Sequence, residues 1–418
     1  MPTWSIIRSS LLLVLASASA LAETPDQLAQ QTILNAKLGA SSNQSYCLQG
    51  GDGVIQGFQT SQPQRIASVT KLFTSLVSLN ALPTDHRWQT KFTLLGKHLH
   101  ISGGLDPWFE QEKVLALIAE LRARGVRELD TISFDENFLF QDGEPNSYSP
   151  PTPADSAASL ALYFSPRGLL SKSILARRAA AVAMMTQDGL KIPLADIGIP
   201  TKRIYFSPSN PLEGPNSTEF VHTSRTLLST LKTMNVFSKN KIAQNLWNFV
   251  SLQNDPLKIL AAEGVPTEEI QIHDGSGLYI LSSNGRIDNQ ATCNAVMHVV
   301  DALERKAGDL HLRQEDIVSV ASDPGSTLSD RFGADPAVRN AIIAKTGTLG
   351  NTSTLAGWLL GSQSLRFVIL NETSLILDAR NAQDAFLLGL LRNGFGPEKP
   401  ITGYTPISFF PLETKFFD

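Results

Sequence analysis

Two residues near the start of the chain could perform acyl transfer together. Ser68 and Lys71 occur in Ala-Ser-Val-Thr-Lys, at the start of an apolar stretch with helical spacing. Side chains three positions apart on a helix lie about one turn apart, on the same face. A serine hydroxyl becomes a nucleophile when a neighbouring base takes its proton, and a lysine can be that base when burial or a nearby cation lowers its pKa. The pair therefore predicts a nucleophile, Ser68, and its base, Lys71.

The Ser-x-x-Lys spacing is not unique in this chain. Ser229 with Lys232 and Ser238 with Lys241 match it as well. These two pairs lie in segments typical of an ordinary helix and of a helix–loop junction. Because the spacing alone does not separate a catalytic pair from a solvated helix face, other motifs must decide.

A predicted strand at 343–348 ends in Lys-Thr-Gly-Thr. Lys345 offers a positive charge, and the hydroxyls of Thr346 and Thr348 can donate hydrogen bonds to a carboxylate. Gly347 leaves the strand edge open, so that a substrate backbone can pair with it. The alternative is a surface strand with a turn glycine.

A third polar segment follows Asp-Gly-Ser-Gly-Leu at 274–278. It contains the Ser-x-Asn sequence Ser282-Ser283-Asn284. Either serine could relay a proton to a leaving group, and the carboxamide of Asn284 could hold a substrate carbonyl. A plain polar loop is the alternative interpretation.

The order of these three motifs resembles that of penicillin-binding proteins and serine β-lactamases. Within that group the chain resembles the class C low-molecular-mass penicillin-binding proteins, the D-alanyl-D-alanine carboxypeptidase/endopeptidases. The long interval between Ser68 and Ser282 is similar to that family's insertion between its first two motifs. Other similar segments are Asp-Gly-Ser-Gly-Leu at 274–278, His-Ile-Ser-Gly-Gly-Leu-Asp-Pro at 100–107, the helix–glycine–strand unit at 123–138, and Gly-Ser-Thr-Leu-Ser-Asp-Arg-Phe at 325–332.

The resemblance implies an acyl-enzyme mechanism. Ser68 would attack the carbonyl between two D-alanines, or that of a D-Ala–diaminopimelate cross-link, and the N–H groups of Ser68 and Thr348 would form the oxyanion hole. Ser282 would pass a proton to the leaving amine, and Asn284 would hold the peptide. The implied catalytic set is Ser68, Lys71, Ser282, Asn284 and Lys345, and the implied substrate-binding set is Thr346, Gly347, Thr348, Asp155 and Arg331.

Two members of the substrate-binding set have structural alternatives. Asp155 resembles an aspartate that in some family members contacts the amine of a diaminopimelate stem, but it could be an ordinary loop carboxylate. Arg331 could equally form a structural ion pair. The resemblance implies peptidoglycan stem peptides as substrates, β-lactams as inhibitors that acylate Ser68, and no cofactor. The seven histidines form no metal-binding motif in the sequence, so no metal site is expected. A serine β-lactamase and a non-catalytic peptidoglycan-binding scaffold are the rival functions.

The expected fold is a serine β-lactamase/transpeptidase-like α/β (α+β layered) domain, an antiparallel sheet flanked by helices. It would be built from residues 23–85 and 223–418, with a large inserted accessory region at 86–222. Cys47 falls in a predicted strand and Cys293 in a predicted helix. Export would permit a disulfide, but a chain of this size can build a core without one, which favours two buried free thiols.

The composition bounds the remaining possibilities. The chain has 418 residues, of which 42% are hydrophobic and 18% charged, enough for a large core or for several domains. The net charge is −4 and no long basic run occurs, so binding to nucleic acid has no support. Residues 1–22 have the pattern of a signal peptide, which predicts export to the periplasm without a transmembrane anchor. The sequence leaves the oligomeric state open.

Overall fold

The structure is a computed structural model that describes residues 23–143, 152–164, 172–283, 285–361, 365–395, 401, 404 and 408–412. The predicted signal peptide and Asn284 lie outside the described residues. Among the described helices, none is both long enough and apolar enough to span a bilayer.

A five-stranded antiparallel sheet forms the centre of the fold and combines strands from both ends of the chain. The strands β13, β14, β15, β1 and β2 neighbour one another in that order. Their bounds are Gln44–Gln49 for β1, Ile55–Phe58 for β2, Ile342–Leu349 for β13, Thr352–Leu359 for β14 and Leu365–Glu372 for β15.

Helices cover both faces of this sheet. Along β15, Val368 and Leu370 point into one hydrophobic core, whereas Phe367 and Ile369 point into another. A strand that is buried on both faces has consecutive apolar residues, as β15 has in Phe-Val-Ile-Leu at 367–370. The helices of the first core are α2 (Thr70–Ala81), α6 (Leu227–Val236), α7 (Asn240–Ser251), α8 (Pro256–Ala262) and α9 (Cys293–Asp309); α1 (Pro25–Thr32) and α12 (Ile376–Leu390) cover the other face.

A second five-stranded sheet lies wholly between Gln89 and Thr223, and we call residues 86–222 the inserted region. Its strand order is β7, β6, β5, β4, β8, with parallel pairing of β5 with β6 and of β6 with β7. The helices α3, α4 and α5 supply these parallel connections and pack into a separate core. The bounds are β4 Gln89–Leu95, β5 His98–Ser102, α3 Gln111–Ala123, β6 Leu129–Phe134, α4 Pro153–Phe164, α5 Lys172–Gln187, β7 Thr201–Phe206 and β8 Thr218–Thr223.

Shorter elements connect these layers. Three two-residue strands form a small sheet, and two three-residue strands form a hairpin. They are β3 Gln64–Arg65, β9 Ile270–Gln271 and β12 Gln290–Ala291 in the small sheet, and β10 Ile280–Ser282 and β11 Gly285–Ile287 in the hairpin; the short helices are α10 Gln314–Ile317 and α11 Pro336–Arg339.

The two cysteines form a disulfide, so the expectation of free thiols is wrong. Cys47 lies in β1 and Cys293 is the first residue of α9, with Cα atoms 6.0 Å apart. Both residues are fully buried. The N-terminal turn of α9 packs directly on β1, and this contact between distant parts of the chain is not visible in the spacing of the cysteines.

Candidate active site

Ser68 lies in a short 3₁₀ turn, Ala67–Val69, that leads into α2, and its side chain is half-buried. The preceding residue, Ala67, has φ +46°, in the left-handed region that non-glycine residues rarely adopt. Gly277 approaches this turn so closely that a Cβ atom there would lie 1.9 Å from the Ala67 carbonyl oxygen. The turn is therefore held in a strained conformation by its surroundings, as is common at reactive residues.

Lys71 is fully buried beside Ser68. Its Nζ is 2.9 Å from Ser68 Oγ, 2.8 Å from Asn240 Oδ1 and 2.7 Å from the Ser276 carbonyl oxygen. These three oxygens fix the position of the Lys71 amine beside the Ser68 hydroxyl. The geometry suits a base that takes the proton of Ser68.

Lys345, on β13, is also fully buried. Its Nζ donates to Ser238 Oγ at 3.0 Å and to the Thr346 carbonyl oxygen at 2.8 Å. Burial, and then the positive charge of Lys71, hold the pKa of Lys345 well below that of an ordinary lysine. The amine of Lys345 therefore loses its proton more readily than that of an exposed lysine.

The Ser-x-Asn motif that contacts these two lysines is Ser238-Lys239-Asn240, at the junction of α6 and α7. Ser238 contacts Lys345, and Asn240 contacts Lys71. Like Ala67, Ser238 has a positive φ, +55°. Ser238 and Asn240 thus occupy the positions that the sequence analysis expected for Ser282 and Asn284.

The expected second motif at Ser282 needs correction. Ser282 is exposed in the β10–β11 hairpin, where its hydroxyl donates to the Gly285 carbonyl oxygen at 3.0 Å. Ser283 is exposed in the turn of the same hairpin, and Asn284 is not described. The sequence does contain a signal for the second motif: residues 238–241, Ser-Lys-Asn-Lys, match Ser-x-Asn as well as Ser-x-x-Lys. Its position just before an amphipathic helix distinguishes it from the hairpin.

The loop at 274–278 serves as a support for the site. One carboxylate oxygen of Asp274 accepts hydrogen bonds from Ser276 N, Ser276 Oγ and Gly277 N at 2.6, 2.6 and 2.8 Å. Thr74, on α2, donates to the Gly275 carbonyl oxygen at 2.6 Å. The loop is thereby fixed on the helix that carries Lys71, and it presents the Ser276 carbonyl oxygen to that lysine.

The edge strand β13 runs beside the Ala67–Val69 turn that carries Ser68. A Cβ atom at Gly347 would lie 2.7 Å from the Ile66 carbonyl oxygen, so only glycine allows this approach. The Ala344 N–H donates to Ser319, on the side of β13 away from β14. Since hydrogen-bonding direction alternates along a strand, the N–H groups of Thr346 and Thr348 point to this same side. They are therefore available to a substrate or an oxyanion.

Two residues near β13 were missed by the sequence analysis. Thr327, in the 325–332 segment, shares a hydrogen bond of 2.8 Å with Thr346 through their hydroxyls. Arg380, on α12, donates to Thr348 Oγ1 at 2.9 Å. Arg380 brings a second cation to the strand end expected to bind a carboxylate. Only the packing of α12 near β13 makes it a candidate.

Arg331 and Asp155 take part in local structure, as their alternative interpretations state. Arg331 is buried, and its Nε donates to Asp384 on α12 at 2.8 Å. Asp155 accepts hydrogen bonds from the N–H and hydroxyl of Thr152 at 2.8 and 2.7 Å, at the start of α4. These contacts are an ion pair and a helix cap. These contacts match the structural alternatives, and a contact of either residue with substrate stays a prediction.

The sequence pattern of the D-Ala-D-Ala carboxypeptidase 3 (S13) family matches residues 48–157 and 170–390, most of the chain. The chain belongs to this family. The resemblance to low-molecular-mass penicillin-binding proteins is thereby confirmed, and the S13 match contains both lysines, the nucleophile and the reassigned Ser-x-Asn. A search of curated protein sequences finds no significant match.

Solved structures support the expected fold of this S13 member. A predatory peptidoglycan endopeptidase from Bdellovibrio bacteriovorus is 24% identical, with a TM-score of 0.76 over 89% of this chain and 98% of that chain. A second predatory endopeptidase from that organism, in complex with an immunity protein, is 26% identical, with a TM-score of 0.72 over 88% of this chain and 98% of that one. Penicillin-binding protein 4 from Haemophilus influenzae is 19% identical, with a TM-score of 0.58 over 90% and 100%. The expectation of a transpeptidase-like fold is confirmed.

Proposed function

We propose that this S13 member is an exported serine peptidase of the periplasm that cleaves D-Ala-D-Ala or D-Ala–diaminopimelate bonds in peptidoglycan through an acyl-enzyme. The observation that carries this proposal is a cluster of five residues in which Lys71 bonds Ser68 and Asn240, and Lys345 bonds Ser238, two residues before Asn240. The cluster supplies a nucleophile, a base, a proton relay and an amide for the substrate. A scaffold that only binds peptidoglycan would not need two buried lysines.

The proposed reaction has two steps. Lys71 in its neutral form takes the proton of Ser68, and Oγ attacks the carbonyl carbon of the penultimate residue. The N–H groups of Ser68 and Thr348 stabilise the negative charge that develops on the carbonyl oxygen. Ser238 relays a proton to the departing amine, and water then releases the acyl group with the reverse proton transfers.

The substrate groups that we propose to bind here are inferred from the cations and hydroxyls at the end of β13. Lys345, Thr346, Thr348 and Arg380 can hold a terminal carboxylate, and Asn240 can hold a peptide amide. One similar Bdellovibrio structure is that of a peptidoglycan endopeptidase, and another is the penicillin G acylated form of the same enzyme. Both similarities support a peptidoglycan substrate and acylation by β-lactams for the present chain.

The proposal is tested with residues 23–418 and a Ser68→Ala variant. Both proteins are incubated with a fluorescent penicillin and separated on a denaturing gel. We expect a covalent band for the wild type and none for the variant. No band in either protein would contradict the acyl-enzyme, and a band in both would assign another nucleophile.

The same two proteins are used to distinguish carboxypeptidase activity from endopeptidase activity. Synthetic pentapeptide and cross-linked muropeptides are digested and analysed by mass spectrometry for released D-alanine and for cleaved cross-links. Rapid release of the fluorescent adduct, together with inert peptides, would favour a β-lactamase instead.

A further inference from the structure

The Ser238–Asn240 segment touches the inserted region through the side chain of its middle residue. Lys239 Nζ donates to Glu110 Oε2 at 3.1 Å. Glu110 belongs to the inserted region, immediately before α3, and is 6% exposed. A carboxylate from outside the expected catalytic domain therefore contacts the residue between the two that bind the active-site lysines.

Glu110 is built into the inserted region as a charged group. Its carbonyl oxygen accepts the Lys113 N–H at 3.1 Å, and Lys113 is itself buried in an ion pair with Asp106. Burial alone would raise the pKa of Glu110, but the neighbouring Lys239, Lys241 and Lys113 lower it, so the carboxylate stays charged. A buried carboxylate paired with cations is costly to remove on one side only, because its partners are left uncompensated.

Other contacts attach the same segment to the inserted region. Lys241 Nζ donates to the Gln141 carbonyl oxygen at 2.8 Å and lies 3.9 Å from Glu110 Oε1. Asn245, one turn further along α7, donates to the Pro107 carbonyl oxygen at 3.4 Å. The inserted region therefore contacts the first turns of α7 at several points, and Glu110 is the charged member of this contact.

The segment needs external support because its backbone is strained. The positive φ of Ser238 costs free energy, on the order of 1–3 kcal/mol for such a residue. The Lys239 N–H and carbonyl oxygen are held by Met234 and Ala243, at the ends of α6 and α7. Its side chain adds an attachment to the inserted region through Glu110.

We propose that Glu110 is a positioning residue for the acyl-transfer reaction: by holding Lys239 it sets Ser238 and Asn240 against Lys345 and Lys71. The inserted region thus takes part in catalysis without touching the substrate at this point. This inference rests on the proposed function and on the reassigned Ser-x-Asn. A displacement of about 1 Å in reacting groups can reduce a rate about 100-fold, so loss of this contact affects the rate more than it affects ligand affinity.

The test uses the full mature chain and measures penicillin acylation by stopped flow, which separates the limiting acylation rate from the apparent Kd. For Glu110→Gln we expect the limiting rate to fall about 10- to 100-fold, with the Kd nearly unchanged. Glu110→Asp, which keeps the charge, should recover most of the rate. In a double-mutant cycle with Lys239→Met, the double variant should be no slower than Glu110→Gln alone.

Glu128→Gln is the matched control, because Glu128 is an exposed partner of Lys97 elsewhere in the inserted region. It should acylate at the wild-type rate. A wild-type rate in Glu110→Gln, or additive losses in the double variant, would overturn the inference. Should Glu110→Gln fail to fold, Lys239→Met decides the inference: a fall in the limiting rate is expected, and a wild-type rate would overturn it. Absence of acylation in the wild type would instead overturn the proposed function.

Discussion

At the residue scale, the roles of two serines can be compared directly. Ser238 contacts the buried Lys345, whereas Ser282 is exposed and bonds within its own hairpin. If Ser238 relays the proton to the leaving amine, Ser238→Ala should lower turnover of a D-Ala-D-Ala peptide about 100- to 10,000-fold, the usual contribution of acid–base catalysis.

The matched variant is Ser282→Ala, for which we expect turnover close to that of the wild type. Both are measured as kcat/KM for D-alanine release, with thermal unfolding as a check on folding. Equal activity of Ser238→Ala and the wild type, or a large loss in Ser282→Ala, would contradict the reassignment of the second motif.

At the scale of elements, the disulfide joins the central sheet to α9. It links Cys47 in β1 to Cys293, and the loop that it closes includes α2 and the whole inserted region. A cross-link over a long loop stabilises mainly by restricting the unfolded chain, typically by about 2–4 kcal/mol. A Cys47→Ala/Cys293→Ala variant should lose about this much free energy of unfolding in urea.

Reductant provides the control for this prediction. It should lower the urea midpoint of the wild type towards that of the double variant and leave the variant unchanged. A wild type with the same midpoint in the presence and absence of reductant would contradict a disulfide that contributes to stability.

At the scale of the whole molecule, the last described residues connect the two cores. Tyr404 donates to Asp323 at 2.7 Å beside the first core, while Phe410 and Leu412 pack in the core of the inserted region. Arg225, three residues after the inserted region, donates to the Phe410 carbonyl oxygen at 3.0 Å. Phe409 packs edge-on against Phe237, the residue before Ser238.

Because Phe410 is fully buried, Phe410→Ala should lower the free energy of unfolding by about 3–5 kcal/mol, as expected for deletion of a core aromatic ring. Phe206, on β7, is 41% exposed and is the control, for which a much smaller loss is expected. Both are measured by urea unfolding. Equal losses for the two variants would contradict a structural role for the segment around Phe410.

Much of the site could be predicted because its residues carry local signals. Ser68 and Lys71 lie one helical turn apart, and Lys345, Thr346 and Gly347 are adjacent on one strand, so short-range geometry already joins them. Ser238 and Asn240 were visible as residue types, but several Ser-x-Asn sequences compete. The correct one is decided by which segment packs between the two lysines.

The sequence by itself determined the family, the transpeptidase-like fold, the pairing of Ser68 with Lys71 and the strand that ends in Lys-Thr-Gly. The pair and the strand depend on spacing within a few residues, and the family depends on the order of such short motifs along the chain. Only the tertiary structure decided the Ser238–Asn240 motif, the Cys47–Cys293 disulfide, the approach of Arg380 to Thr348 and the contact of Glu110 with Lys239. These depend on packing between segments far apart in the chain, and the same packing buries Lys345 and lowers its pKa.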